Sequence, residues 1–209
     1  MIHTKDLTYQ YAGGKALSYP DVDVQRGETL LIIGHSGCGK TTLLHLLGGL
    51  LRPTNGQVVI HNQNTSILSD KKLDTFRGQH IGFVFQKAHF VQSLTVKDNI
   101  LLASYLSGKQ YRQNDLNSLT EKLGITTLLG KMPSSLSQGE QQRVSIARAI
   151  LHQPDLVLAD EPTSSLDDEN TAKVASLLLN LTMVFGVALI IVTHDERLKT
   201  LIPQQLHLS

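Results

Sequence analysis

The eight residues GHSGCGKT, from Gly34 to Thr41, match the pattern G-x-x-x-x-G-K-[ST] between a predicted strand and a predicted helix. The glycines let backbone N–H groups turn inward around phosphate oxygens, and the helix start adds its positive dipole. Lys40 would act on the β- and γ-phosphates of a nucleotide, and Thr41 would offer its hydroxyl to Mg²⁺. A glycine-rich turn with a chance lysine is the alternative. The residues assigned to this phosphate site are Gly34, His35, Ser36, Gly37, Cys38, Gly39, Lys40, Thr41 and Thr42.

Two adjacent acids close a second apolar stretch, LVLADE. Asp160 would hold Mg²⁺, directly or through water. Glu161 follows directly, where a general base could polarise a water molecule aimed at the γ-phosphate. Alone, the pair could equally be two surface acids that close a strand; the phosphate loop favours the catalytic interpretation.

Two further polar residues end predicted strands. His194 follows IIVT, and Gln86 ends GFVFQ. Residues at the carboxyl edge of a parallel sheet face the ligand crevice. Gln86 could join Mg²⁺ and the attacking water, or only cap its strand, and His194 could be structural.

A second segment, SSLSQGEQQRVSIARAI (134–150), also predicts an anion site. It begins with small polar residues that suit a helix N-terminus and continues as an otherwise apolar helix carrying Arg143 and Arg148. One small protein would then have two phosphate cradles.

The elements that must position these residues alternate between strand and helix. The strands are predicted at TLLIIG, at the end of LRPTNGQVVIHN, at HIGFVFQ, at DLVLADEP and at VALIIVTHD, and helices at TTLLHLLGGLL and NTAKVASLLLNLTMVF. This order predicts a mostly parallel α/β sheet.

The two remaining regions differ from this pattern. Residues of about 94–150 predict three helices and no strand, which indicates a helical subdomain inserted in the α/β core. Near the N-terminus, IHTKDLTYQY and LSYPDVDV predict antiparallel strands joined by the turn AGGK. We expect residues 1–209 to form one domain.

Composition excludes several classes of protein. The net charge of +1 is much lower than is typical of a nucleic-acid-binding domain, so nucleic acid is not expected as a partner. The single cysteine, Cys38, excludes an internal disulfide and favours a reducing cytoplasm. The N-terminus resembles no export signal, and the apolar stretch VFGVALIIV is too short to span a bilayer.

In order and spacing, GHSGCGKT, LSQGEQQRVSIARAI, LVLADEP, SSLDDE and IIVTHD resemble the ATP-binding subunit of ABC transporters over nearly the whole chain. The resemblance implies a P-loop NTPase fold of the ABC ATPase type, with ATP and Mg²⁺ as ligands. It also implies that two such subunits, identical or homologous, pair head to tail. Ser137 and Gly139 of one would contact the γ-phosphate held by the other, which explains the second cradle.

Other functional residues follow from the resemblance alone. Tyr11 matches the aromatic residue that stacks on adenine, with Tyr9 as a second candidate and a plain strand aromatic as the alternative. Asp167 matches a loop that signals between the two sites, and Gln86 the loop that links the Mg²⁺ site to the membrane part. His194 matches the histidine that holds the γ-phosphate and the attacking water, and Glu161 the catalytic glutamate.

The sequence departs from the commonest family pattern at the signature. It has Leu-Ser-Gln-Gly-Glu, where Leu-Ser-Gly-Gly-Gln is usual. Gln138 and Glu140 change side chains, while Ser137 and Gly139 are kept. Cys38 lies inside the phosphate loop, and we expect its alkylation to block ATP binding.

The sequence most resembles the lipoprotein-releasing (LolD), macrolide-efflux (MacB) and cell-division (FtsE) branch, and shares much with amino-acid import ATPases. This resemblance implies a separate integral membrane permease and a location on the cytoplasmic face of the bacterial inner membrane. Residues 87–94 would receive the permease, with His89 and Phe90 as contacts or as plain loop residues. A soluble ABC ATPase acting on DNA or ribosomes and a small-molecule kinase are the alternatives.

Overall fold

The structure, a computed structural model, describes residues 1–164 and 166–208. The strands in this part are β1 (Ile2–Gln10), β2 (Ala16–Ser18), β3 (Asp23–Val24), β4 (Thr29–Gly34), β5 (Asn55–Ile60), β6 (Gln63–Asn64), β7 (Ile81–Val84), β8 (Leu156–Asp160), β9 (Ala188–Thr193) and β10 (Gln205–Leu208). The α-helices are α1 (Lys40–Leu47), α2 (Asp70–His80), α3 (Val96–Ser107), α4 (Gln113–Lys122), α5 (Gln138–Ile150) and α6 (Asp168–Phe185).

The core sheet has the order β10-β4-β9-β8-β7, and every pairing in it is parallel. Its strands are apolar runs because both faces are covered. Leu31 and Ile33 of β4 pack into a core with the helical region, while Leu30 and Ile32 pack into a second core with α1 and the N-terminal strands. The predicted mostly parallel sheet is therefore confirmed.

The N-terminal sheet is antiparallel, with the order β2-β1-β5-β6 and β3 also paired to β1. The predicted second strand (17–24) is divided into β2 and β3 by residues 19–22. Pro20 lies in this break and has no N–H to donate to a ladder. The antiparallel β subdomain itself is as expected.

The helices α3, α4 and α5, with short 3-10 turns between them, occupy residues 96–150. Helix α5 begins at Gln138, four residues later than the start of the predicted helical segment, because Ser137 caps it and Pro133–Ser135 form a separate 3-10 turn. Among the described strands and α-helices, α2, β6 and β10 were not predicted. Helix α2 is strongly polar, with Leu73 as its one buried residue, so its apolar periodicity is weak.

The four strand ends that carry predicted site residues lie at one edge of the core sheet. Parallel pairing brings the carboxyl ends of β4, β9, β8 and β7 together. The phosphate loop follows β4, the two acids close β8, His194 follows β9, and Gln86 lies two residues beyond β7.

Candidate functional site

The phosphate loop connects β4 to α1 and is closed by its own lysine. Lys40 is buried, and its ammonium group donates to the carbonyls of Gly34 at 2.8 Å and His35 at 3.0 Å. These bonds hold a cation across the loop where phosphate oxygens would enter. Gly39 has a φ of 95°, which glycine adopts without strain.

Several residues assigned to this loop support it rather than face the cavity. A side chain at Gly34 would meet the sulfur of Cys38 at 2.5 Å, so glycine is required there. Cys38 is half-buried and packs against the core beside β4. The imidazole Nδ1 of His35 lies 2.9 Å from the carbonyl of Ser36.

Tyr19 is a loop neighbour that sequence reasoning missed. It is buried, and its hydroxyl donates to the carbonyl of Gly39 at 3.2 Å. Burial is the main cause that raises its pKa to about 12, so it remains a neutral donor. No motif marks this residue, since the strand break at Pro20 is what brings it to the loop.

The metal-binding oxygens predicted from sequence are already in contact. The Thr41 hydroxyl donates to Asp160 Oδ1 at 3.2 Å. Burial raises the pKa of Asp160, the Thr41 hydrogen bond opposes that rise, and the neighbouring Glu161 charge adds to it. A half-desolvated carboxylate beside a hydroxyl is a donor set that suits a hard cation such as Mg²⁺.

Glu161 is held by donors from the next strand. Its carboxylate accepts from the Thr193 hydroxyl at 2.7 Å and from the backbone N–H of His194 at 3.1 Å. The Nδ1 atom of His194 lies 2.8 Å from Glu161 Oε1. Glu161 also has a φ of 46°, an uncommon value for a non-glycine residue that is typical of functional sites.

Gln86 approaches the same acids from β7. Its amide donates to the Ser164 hydroxyl at 3.2 Å, which in turn donates to the Glu161 carbonyl at 3.2 Å. A cavity of about 540 Å³ gathers these groups. Its lining residues are Ser36, Gly37, Gly39, Lys40, Thr41, Thr42, Gln86, Glu161 and His194.

The two candidate adenine contacts pack on each other, and Tyr11 also contacts the start of α1. The Tyr11 hydroxyl lies 3.1 Å from the hydroxyl of Thr42, and the Tyr11 side chain is 48% exposed. The rings of Tyr9 and Tyr11 pack edge to face at 4.7 Å, and Tyr9 also packs against the core. Tyr11 thus has the more open ring face.

The second cradle is built differently. Ser137 caps α5 in a capping box: Glu140 Oε2 accepts from the Ser137 N–H and from the Ser137 hydroxyl, both at 2.8 Å. These hydrogen bonds lower the pKa of Glu140. Gly139 faces the start of α6, where Asp167 caps the helix by accepting from the Asn170 N–H at 2.8 Å.

Ser137, Gly139 and Asp167 are not among the residues described as lining the phosphate cavity. The structure therefore groups the loop, the two acids, Gln86 and His194 at one place, with these three residues outside the cavity lining. The pairing of two subunits that the resemblance implies would bring the second cradle to the phosphate of the partner.

The family model described as "ABC transporter" matches residues 17–164, which include the phosphate loop, the signature and both acids. The chain belongs to the ABC transporter family. The predicted P-loop fold of the ABC ATPase type is confirmed, and this ABC protein binds and hydrolyses ATP. Within residues 1–164 and 166–208, no helix combines the length and the apolar character needed to cross a bilayer.

Curated relatives extend the match over almost the entire ABC protein. The lipoprotein-releasing system ATP-binding protein LolD of Bacteroides fragilis is 35% identical, over 100% of this chain and 97% of that protein. LolD of Legionella pneumophila is 43% identical over 181 residues, which are 85% of this chain and 79% of that protein. The predicted LolD-type branch is therefore supported.

Solved structures give the same fold. A dimeric post-hydrolysis state of the ATP-binding cassette MJ0796, bound to ADP and Pi, superimposes with a TM-score of 0.90 at 31% identity, covering 100% of this ABC protein and 94% of that chain. A second dimeric structure of MJ0796 gives a TM-score of 0.89 at 32% identity. Both cassettes are dimers, the pairing that the resemblance to ABC ATPases predicts for this chain.

Proposed function

We propose that this ABC protein is the ATP-hydrolysing motor subunit of a lipoprotein-releasing system, peripheral on the cytoplasmic face of the inner membrane. The observation that carries the motor assignment is one cavity lined by Lys40, Thr41 and Glu161, with Asp160 hydrogen-bonded to Thr41. Similarity to LolD proteins over most of the chain supports the system.

Mg²⁺ belongs with Thr41 and Asp160 in this proposal. Their oxygens are 3.2 Å apart and the carboxylate is half-desolvated, so a cation would relieve the electrostatic cost of burying it. Gln86 reaches the same cavity and would contribute its amide oxygen to the metal and the attacking water. The ion would neutralise charge on the β- and γ-phosphates.

Glu161 is the proposed general base. Three donors fix its carboxylate at the cavity wall, which is the positioning that a base needs to orient a water molecule. His194 supplies two of these bonds, one from its backbone N–H and one from its ring. Its side chain is largely exposed at the cavity rim, where it would hold the γ-phosphate and the water. Lys40 would leave its two carbonyls and bind the β- and γ-phosphates.

Pairing of two copies would complete each site. Ser137 and Gly139 of one copy would contact the γ-phosphate bound by the other, and Asp167 would lie at this junction. Tyr11 would stack on the adenine ring. ATP then joins the two subunits, and loss of the γ-phosphate separates them.

The permease is proposed to dock in an apolar groove of about 560 Å³ beside the predicted segment 87–94. His89 lines this groove, whereas Phe90 lies under Arg148, whose guanidinium is 5.0 Å from the ring centroid. Sequence reasoning missed most of the lining, which includes Leu50, Phe83, Phe85, Leu102 and Leu106. An amphipathic helix on the cytoplasmic side of the permease is the occupant that fits an apolar groove with basic residues at its wall.

Affinity purification from mildly solubilised native membranes tests this proposal. We expect the tagged chain to recover a permease with few spans and a large extracytoplasmic domain. Leu106→Asp should abolish recovery, because Leu106 is 71% exposed in the groove. Met183→Asp is the matched control, since Met183 is a 72% exposed apolar residue on α6.

The other outcomes are equally specific. A compact permease with many spans and a binding protein would replace lipoprotein release with import. Recovery of ribosomes or DNA-bound factors, with no membrane protein, would contradict the transport assignment and favour a soluble ABC ATPase.

A further inference from the structure

Two histidines and an aspartate form a cluster outside the nucleotide site. His61 Nε2 lies 3.1 Å from Asp155 Oδ1, and His80 Nδ1 lies 2.7 Å from Asp155 Oδ2. The three potential ligand atoms all lie within 4.8 Å of one another. Neither the phosphate chemistry nor the permease groove uses these residues.

The cluster is well separated from the proposed Mg²⁺ site. Asp155 precedes β8 and Asp160 ends it. Five residues of extended strand, at about 3.3 Å each, place the two carboxylates roughly 16 Å apart. A metal ion at this cluster would therefore be distinct from the ion that accompanies ATP.

Backbone contacts hold the three side chains in place. The Asp155 N–H donates to the His80 carbonyl at 2.9 Å, and the Asp155 carbonyl accepts from Ala188 at 2.9 Å. The His61 N–H donates to the Met1 carbonyl at 3.0 Å. The ring of Phe76 packs on His80 with centroids 4.5 Å apart. The backbone of each of the three residues is thus tied to a neighbouring element.

The cluster is open on its outer side. The side chains of His61 and His80 are 39% and 30% exposed, which leaves room for solvent on the outer side.

Two imidazoles and one carboxylate form a donor set that zinc-class ions prefer, while Mg²⁺ prefers oxygen ligands alone. In a tetrahedral zinc site with bonds of about 2.1 Å, neighbouring ligand atoms lie roughly 3.4 Å apart. The nitrogen–oxygen distances of 3.1 and 2.7 Å need only a small expansion to reach that value.

We propose that His61 Nε2, His80 Nδ1 and the Asp155 carboxylate bind one divalent ion of the zinc class, with water completing the coordination. The ion would join the turn between β5 and β6, the end of α2 and the start of β8. It would therefore stabilise the attachment of the N-terminal sheet and α2 to the core sheet.

Zinc titration of the purified full chain, in excess Mg²⁺ and without chelators, tests the proposal. We expect one Zn²⁺ per chain to bind, and the melting temperature to rise by about 5–10 °C at 100-fold excess over Kd. His61→Asn should weaken binding by at least about tenfold. Loss of a residue that only hydrogen-bonds to a metal ligand already costs about that much, and His61 would be a ligand itself. Asparagine tolerates the φ of 51° at this position, so the substitution should preserve the turn.

Controls separate this site from other zinc ligands. His207→Ala removes an exposed histidine from β10, at the opposite edge of the core sheet, and should leave affinity unchanged. Co²⁺ in place of Zn²⁺ should show no thiolate charge-transfer band, which excludes Cys38 as the ligand. Asp155→Asn should lose binding as His61→Asn does.

Two results would overturn the proposal. If wild type binds no Zn²⁺, the cluster is a hydrogen-bonded ion pair only. If His61→Asn and Asp155→Asn bind Zn²⁺ as tightly as wild type, the ion lies elsewhere.

Discussion

The two phosphate cradles of this ABC protein are closed in opposite ways. At the first, Lys40 donates to the carbonyls of Gly34 and His35. At the second, Glu140 accepts from the N–H and the hydroxyl of Ser137. One cradle is therefore occupied by the protein's own cation, and the other by its own anion.

Under the proposed function, this difference would let the first cradle bind nucleotide alone, whereas the second would require a partner. When Lys40 moves away, it loses its hydrogen bonds to two neutral carbonyl groups, but its ammonium group becomes free to bind phosphate. Displacing Glu140 releases donors for phosphate but leaves a carboxylate close to it, and like charges repel. The second cradle would then be weak by itself and would close only on a γ-phosphate already bound by the partner.

Glu161→Gln should have the largest effect, because it removes the proposed base. An amide oxygen at the Oε2 position can still accept from the Thr193 hydroxyl and the His194 N–H. We expect hydrolysis to fall by roughly 10²–10⁴-fold and a dimer to persist with ATP. Phosphate release and size-exclusion chromatography measure the two effects. Glu121→Gln, on the surface of α4, is the control. Near-normal turnover would remove Glu161 from the mechanism.

Lys40→Ala tests the first cradle. The loss of a charge-assisted contact to phosphate should weaken ATP binding by roughly 10–100-fold. Fluorescent-nucleotide titration measures the affinity, with the exposed Lys5→Ala as the control. Unchanged affinity would show that Lys40 only supports the loop through Gly34 and His35 and does not bind phosphate.

Ser137→Ala should affect the second cradle alone. We expect ATP affinity of the single chain to stay normal, while ATP-dependent dimer formation in the Glu161→Gln background falls about tenfold. Loss of the helix cap should also cost about 1 kcal/mol in unfolding free energy. Ser135→Ala is matched, since the Ser135 hydroxyl bonds only locally to the Met132 carbonyl at 2.8 Å. Weaker ATP binding by the single chain would contradict the separation of the two cradles.

The sequence predicts the first cradle more completely than the second because its chemistry depends on short motifs at strand ends. Gly34 to Thr42, Asp160 and Glu161 follow from such motifs, and parallel pairing then brings them together. Tyr19 and the Glu140 capping box could not be found in this way. The position of Tyr19 depends on a strand break at Pro20. The capping box depends on the exact start of α5, which the sequence pattern places four residues too early.

Glu140→Gln should have the smallest effect and an opposite sign. Glutamine can keep the capping box, because its amide oxygen still accepts from Ser137. The charge is lost, and one charge at about 4 Å in water is worth about 1 kcal/mol, so the ATP-dependent dimer should tighten about fivefold. The gain should shrink as salt rises, since exposed charges are screened. Dimer titration of the double variant with Glu161→Gln measures it, with Glu121→Gln as control. Weaker dimerisation would mean that Glu140 assists phosphate binding. The charge of Glu140 would then not be what weakens the second cradle.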